Sequence, residues 1–151
     1  MKREWQMYPE VHDYVEALIE KFPRYFSKVK SHEISCIIGV GGKAPKGGSV
    51  LARISLISEK LRVATGSSYK YVMEVYDANW YDLDSRQKAM VVFHELMHID
   101  QDADDPKLVS HNIEDFHPIL KTFGIDYLMN DSLPDLLDDD LSEEDYGIKS
   151  L

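Results

Sequence analysis

The chain has 151 residues, which is room for one domain, since domains commonly run to about 100–200 residues. Hydrophobic residues make up 44% and charged residues 29%, an ordinary globular composition that argues against wholesale disorder. The single cysteine, Cys36, excludes an intramolecular disulfide framework and a thiolate zinc site, and a net charge of −10 argues against a general polyanion binder.

The charge is uneven. Residues 1–74 hold 12 basic and 8 acidic groups, residues 75–125 hold 4 and 10, and residues 126–151 hold 1 and 9. Nucleic acid is therefore disfavoured for the whole chain but not excluded for its mildly basic body. The expected division is a body over 1–125 and an acidic, flexible C-terminal tail over 126–151. The tail also carries apolar anchors, Leu133, Leu136, Leu137 and Leu141, that would let it dock on a basic surface. No targeting segment and no apolar run of membrane-spanning length is seen, so a soluble cytoplasmic protein is expected.

In chain order, Pro9–Phe22 reads as a helix. Pro9 suits its first turn, and Val11, Tyr14, Val15, Leu18, Ile19 and Phe22 share one face. Pro23 ends it. Glu33–Val40 and Ser49–Ile57 are β-branched and read as strands, with the Gly-rich Gly39–Gly48 as a hairpin loop between them. No GxxxxGK[ST] pattern is present there, so a phosphate loop is disfavoured. Glu59–Ser68 reads as a turn region and Lys70–Tyr76 as a third strand. Asp84–Asp100 is the strongest helical pattern, capped by Asp84 with Gln87, and apolar almost all round. The acids that follow, Asp100 to Asp105, oppose a helix dipole and mark a loop. A further helix is expected over Asn112–Phe123.

The chemistry sits in His94-Glu95-Leu96-Met97-His98, an HExxH pattern. Residues four apart share a helical face, so both imidazoles can address one metal. Glu95 lies about 100° round the helix, where it can take a proton from water without ligating. A catalytic zinc needs a third protein ligand and an open position. The metzincin extension fails, because Gln101 and Asp104 stand where its glycine and third histidine belong. His111 is the favoured third ligand. Glu114 and Asp115 are alternatives, or orient a ligand imidazole; His117, before Pro118, reads as a surface residue. Tyr76, Trp80, Tyr81 and Arg86 are nearby candidates for stabilising an oxyanion.

HELMHID followed by SHNIEDF resembles the phage-type metallopeptidases, and more loosely the SprT-like and minimal gluzincin-like zinc proteases. The resemblance covers about Tyr71–Gly124. It implies zinc bound by His94, His98 and His111, with Glu95 as general base. The expected fold is α+β: an N-terminal helix, a small, mostly antiparallel sheet, then the HExxH helix and a third-ligand helix. The expected partner is a protein or peptide substrate, laid along strand 70–76 if that strand is an edge. The competing reading is a catalytically silent, metal-bound module that acts through its acidic tail. Nothing in the sequence fixes an oligomeric state.

Overall fold

The computed structural model describes residues 2–42, 51–109 and 135–146. Among these, the elements run β1 (Glu4–Met7), α1 (Pro9–Lys21), β2 (Ile34–Val40), β3 (Ala52–Leu56), α2 (Glu59–Thr65), β4 (Tyr71–Tyr76), α3 (Asp77–Trp80) and α4 (Ser85–Leu96). The fold is α+β, as the order of helical and strand patterns implies. No helix among the described residues is long and apolar enough to cross a membrane.

The four strands lie in the order β1-β2-β4-β3. β1 pairs antiparallel with β2, β3 pairs antiparallel with β4, and β2 and β4 are parallel. Two expectations change here. Gly39–Gly48 does not close a hairpin, because β4 lies between β2 and β3. Residues 70–76 are not an edge either, because β4 is bonded on both sides and has no free backbone groups to offer a peptide. Among the described residues the edges are β1 and β3.

Side chains alternate across the sheet. Ile34, Cys36 and Ile38 of β2, Tyr71, Met73 and Val75 of β4, and Ala52 and Ile54 of β3 are buried together in the core. α1 and α4 cover that face. In α1, Val11, Val15, Leu18 and the following Phe22 are all fully buried, one apolar stripe at helical spacing. Phe22 and Phe26 both meet Phe93 of α4 edge-on, with ring centroids 5.2 and 5.3 Å apart.

The expected turn region over Glu59–Ser68 contains a short helix, α2. Ser58 caps it, accepting from the Leu61 N–H, and Gly66 ends it in the left-handed region at φ 68°, where a side chain would be strained. None of its residues is buried.

The expected boundary at residue 125 does not separate core from tail. Leu136 is fully buried in the core cluster. The segment 135–146 lies on the C-terminal end of α1. Lys21 Nζ donates to the Asp138 carbonyl and to the Tyr146 hydroxyl, and Arg24 pairs with Glu143 and Glu144. Tyr146 also packs on Phe22, centroids 5.6 Å apart. The described part of the acidic tail is thus docked in cis, apolar anchor inward. The expected helix at 112–123 lies outside the described residues.

Candidate metal centre

α4 begins with the expected reciprocal cap. The Gln87 N–H donates to Asp84 Oδ1 at 2.9 Å and the Asp84 N–H to Gln87 Oε1 at 3.0 Å. Its first half is bolted to α1: Lys88 Nζ lies 2.8 Å from Glu10 Oε1, and Tyr8 donates to the other oxygen of Glu10 at 2.5 Å. Burial works against the Glu10 carboxylate, but the Lys88 and Tyr8 hydrogen bonds outweigh it and hold the group below its ordinary pKa. Lys88 also sits 5.2 Å above the ring of the fully buried Trp80.

At its other end α4 stops at Leu96, four residues earlier than the pattern implied. The Met97 N–H is shared between the Phe93 and His94 carbonyls, and the N–H groups of His98 and Ile99 reach Glu95 and Leu96, three residues back. His98 therefore sits in a tightened final turn rather than in regular α-helix. The motif stays on one side of the chain despite that change. The rings of His94 and His98 have centroids 5.5 Å apart, and the ligand atoms of His94, Glu95 and His98 all lie within 4.8 Å of one another. The two histidines are half-buried and Glu95 is buried, so the group could hold a metal at the rim of the core.

Beyond the helix the chain turns back on itself. Ile99 and Leu108 form an antiparallel bridge, and the Asp100 N–H donates to the Lys107 carbonyl at 2.9 Å. This brings Val109 onto His98. The Val109 N–H donates to the His98 carbonyl at 2.6 Å, and His98 Nδ1 lies 2.7 Å from the Val109 carbonyl oxygen. A carbonyl only accepts, so Nδ1 carries the proton and Nε2 is the nitrogen with the lone pair that a metal could use. This is the outer contact by which metal sites fix an imidazole's tautomer and direction. Sequence reasoning assigned that task to Glu114 or Asp115 and missed Val109, because a main-chain oxygen has no residue signature.

The loop 100–107 also abuts the start of β4. Tyr71 there is 5% exposed; burial raises its hydroxyl pKa, with the Lys107 backbone pulling the other way. The His98 end of α4 therefore lies beside the Tyr71 end of β4 and, through the pairing of Tyr71 with Leu56, the end of β3.

Among the expected site residues, His94, Glu95 and His98 are brought together. His111, Glu114, Asp115 and His117 lie outside the described residues. The four oxyanion candidates are not at this end. Arg86 pairs with Asp84 at the start of α4, about 12 Å from His94 at 1.5 Å rise per residue. Tyr81 precedes that start, Trp80 is core, and Tyr76 donates to Glu74 under the Arg3 guanidinium.

The chain is thus a small α+β domain that carries HExxH on a core helix, with two imidazoles and a carboxylate placed so that they could hold one metal ion. The family described as "putative phage metallopeptidase" matches residues 3–139, and the chain belongs to it. The matched span runs past residue 125 and takes in Leu136. No match to the chain was found among curated proteins or among solved structures.

Proposed function

We propose that the protein is a zinc-dependent peptidase in which His94, His98 and His111 hold the metal and Glu95 is the general base. The observation that supports this reading is the His98–Val109 pair: with Nδ1 on the Val109 carbonyl, Nε2 is the atom that His98 would offer to a metal beside His94 and Glu95. Two imidazole nitrogens and a neighbouring carboxylate are a donor set that suits zinc. The same pair bears on the third ligand. His111 follows Val109 by two residues in the sequence, which makes it the nearest of the candidate third ligands along the chain. Glu114 and Asp115 begin further along and are better suited to orient His111 than to replace it.

Zinc, when bound, supplies Lewis acidity towards the attacking water and the scissile carbonyl. The Glu95 carboxylate accepts a proton from that water as its oxygen bonds to the carbonyl carbon. As the C–N bond breaks, Glu95 returns the proton to the departing amine nitrogen. His98, held by Val109, keeps its ligating nitrogen aimed throughout.

The substrate strand belongs on β3 rather than on 70–76. The Ile57 N–H points to the Lys70 carbonyl of the neighbouring strand. Backbone directions alternate in an antiparallel ladder, so Leu56, Ile54 and Ala52 point theirs to the open edge. That edge ends beside the His98 turn, where an added peptide strand would present its scissile bond. The Cys36 thiol, pushed up to about 12 by burial, is inert and fits a reducing compartment such as the cytoplasm.

The reading is tested with zinc analysis and a fluorogenic peptide library. The purified protein is expected to hold about one zinc, in line with one three-ligand site. Glu95→Gln should keep the zinc and lose about 10²–10⁴-fold in hydrolysis, the usual worth of a general base. His111→Ala should lose the zinc. Full activity in Glu95→Gln refutes the role of that residue. A zinc-bound protein that cleaves nothing favours a silent binding module instead.

A further inference from the structure

We infer that Gln101 is a positioning residue for the metal, its amide locking the turn that carries His98 to the core segment beside His94; this rests on the metal-site reading above. His94 lies inside α4, whereas His98 follows the end of that helix in the tightened turn. One regular helix therefore does not hold both imidazoles. The main-chain bonds that bring Val109 back onto His98 lie within residues 98–109, so they tie the turn to itself.

The Gln101 side chain reaches out of that turn. Its Oε1 accepts from the Lys28 N–H at 3.0 Å, and its Nε2 donates to the carbonyl of Ile99, the residue after His98, at 3.2 Å. A backbone N–H only donates and a carbonyl only accepts, so the two partners fix which way round the amide stands. Among other long side chains, an ionised glutamate lacks the donor, lysine lacks the acceptor, and methionine has no donor and only a weak acceptor. The far end of the clamp is anchored. Lys28 stands between Phe26 and Val29, which are both buried, and Phe26 meets Phe93, the residue before His94, edge-on. Gln101 thus refers the His98 turn to the same packed rings that seat His94. The buried Ile99 side chain also holds the turn, but apolar burial has no direction, whereas the two amide bonds do. The bond to Lys28 is exposed to water and adds little to overall stability. Its effect falls on the aim of His98.

The test uses the full chain with 15N-labelled histidine, first without metal. At about pH 8.5, two units above the ordinary imidazole pKa of about 6.5, the rings are neutral and the two tautomers differ in their nitrogen shifts. In wild type His98 should carry its proton on Nδ1. In Gln101→Met the proton should divide between Nδ1 and Nε2, and zinc affinity, read by competition with a chromogenic chelator, should fall about tenfold or more. Gln101→Asn keeps donor and acceptor on a shorter arm; it should fall between the two, and it serves where Gln101→Met does not fold. The melting temperature of the metal-free protein should barely move in either. Val15→Ala, a core truncation in the middle of α1, should do the reverse: a lower melting temperature with the wild-type tautomer and zinc affinity. A His98 proton off Nδ1 in wild type overturns the inference, as does Gln101→Met with the wild-type tautomer or with a zinc affinity within about twofold of wild type. Equal losses in Val15→Ala overturn it too, since they report stability rather than aim. If wild type binds no zinc, the zinc reading fails, and the His98 tautomer in Gln101→Met alone decides this one.

Discussion

Leu136→Ala tests whether the acidic C-terminal segment is part of the folded core. Leu136 is fully buried among the core residues. Truncating a leucine in such a site costs about 2–5 kcal/mol, the lost transfer energy plus whatever cavity remains. The other attachments are weaker. Arg24 is 64% exposed and its partner Glu144 is 77% exposed, so that ion pair contributes at most about 1 kcal/mol. The tilted ring contact of Tyr146 with Phe22 adds about 0.5–1.5 kcal/mol. The apolar anchor should therefore outweigh the charges, although charge dominates the composition of the segment. Urea denaturation of the metal-free protein gives the comparison directly. Leu136→Ala should lower the unfolding free energy by about 3 kcal/mol and the melting temperature by about 6–12 °C for a chain of this size. Arg24→Gln should change it by less than about 1 kcal/mol. A Leu136→Ala loss no larger than that of Arg24→Gln would refute the packing argument and return the segment to a solvated tail.

Two further outcomes follow from the site's supports. Glu10 has a folded pKa below its unfolded value, so its contribution is present above the unfolded carboxyl range and is lost as pH falls through the folded value. Wild type should thus lose more stability than Glu10→Gln on acidification below about pH 4.3, and parallel acid titrations of the two would sink this assignment. Leu56→Pro removes an edge N–H that β4 does not use; it should raise KM for peptides severalfold while leaving zinc content and the far-UV spectrum unchanged, and an unaltered KM would remove β3 as the substrate edge.

What the sequence revealed and what it hid divide along the range of the interactions. α1 was readable because Val11, Val15 and Leu18 repeat at helical spacing, and α4 because Asp84 and Gln87 cap each other three residues apart. HExxH was readable for the same reason, since its geometry is set by one helix turn. β1 was not, because Glu4–Met7 is exposed throughout and exists as a strand only where β2 gives it a partner more than thirty residues away. The placing of β4 between β2 and β3 has no local signal either, and with it went the substrate edge. The apolar anchors of the tail are legible in the sequence, but the surface they meet is not, because Lys21 and Arg24, which receive part of it, lie over a hundred residues earlier. His98 is the sharpest case. The group that aims it is the Val109 main-chain carbonyl, and its backbone N–H completes the pair. Almost any side chain at 109 would preserve both bonds, and only proline would delete the N–H. The direction of the ligand is thus fixed by how the chain closes after Ile99. No choice of residue at 109 fixes it, and a pattern of residues can reveal the histidine but not what holds it.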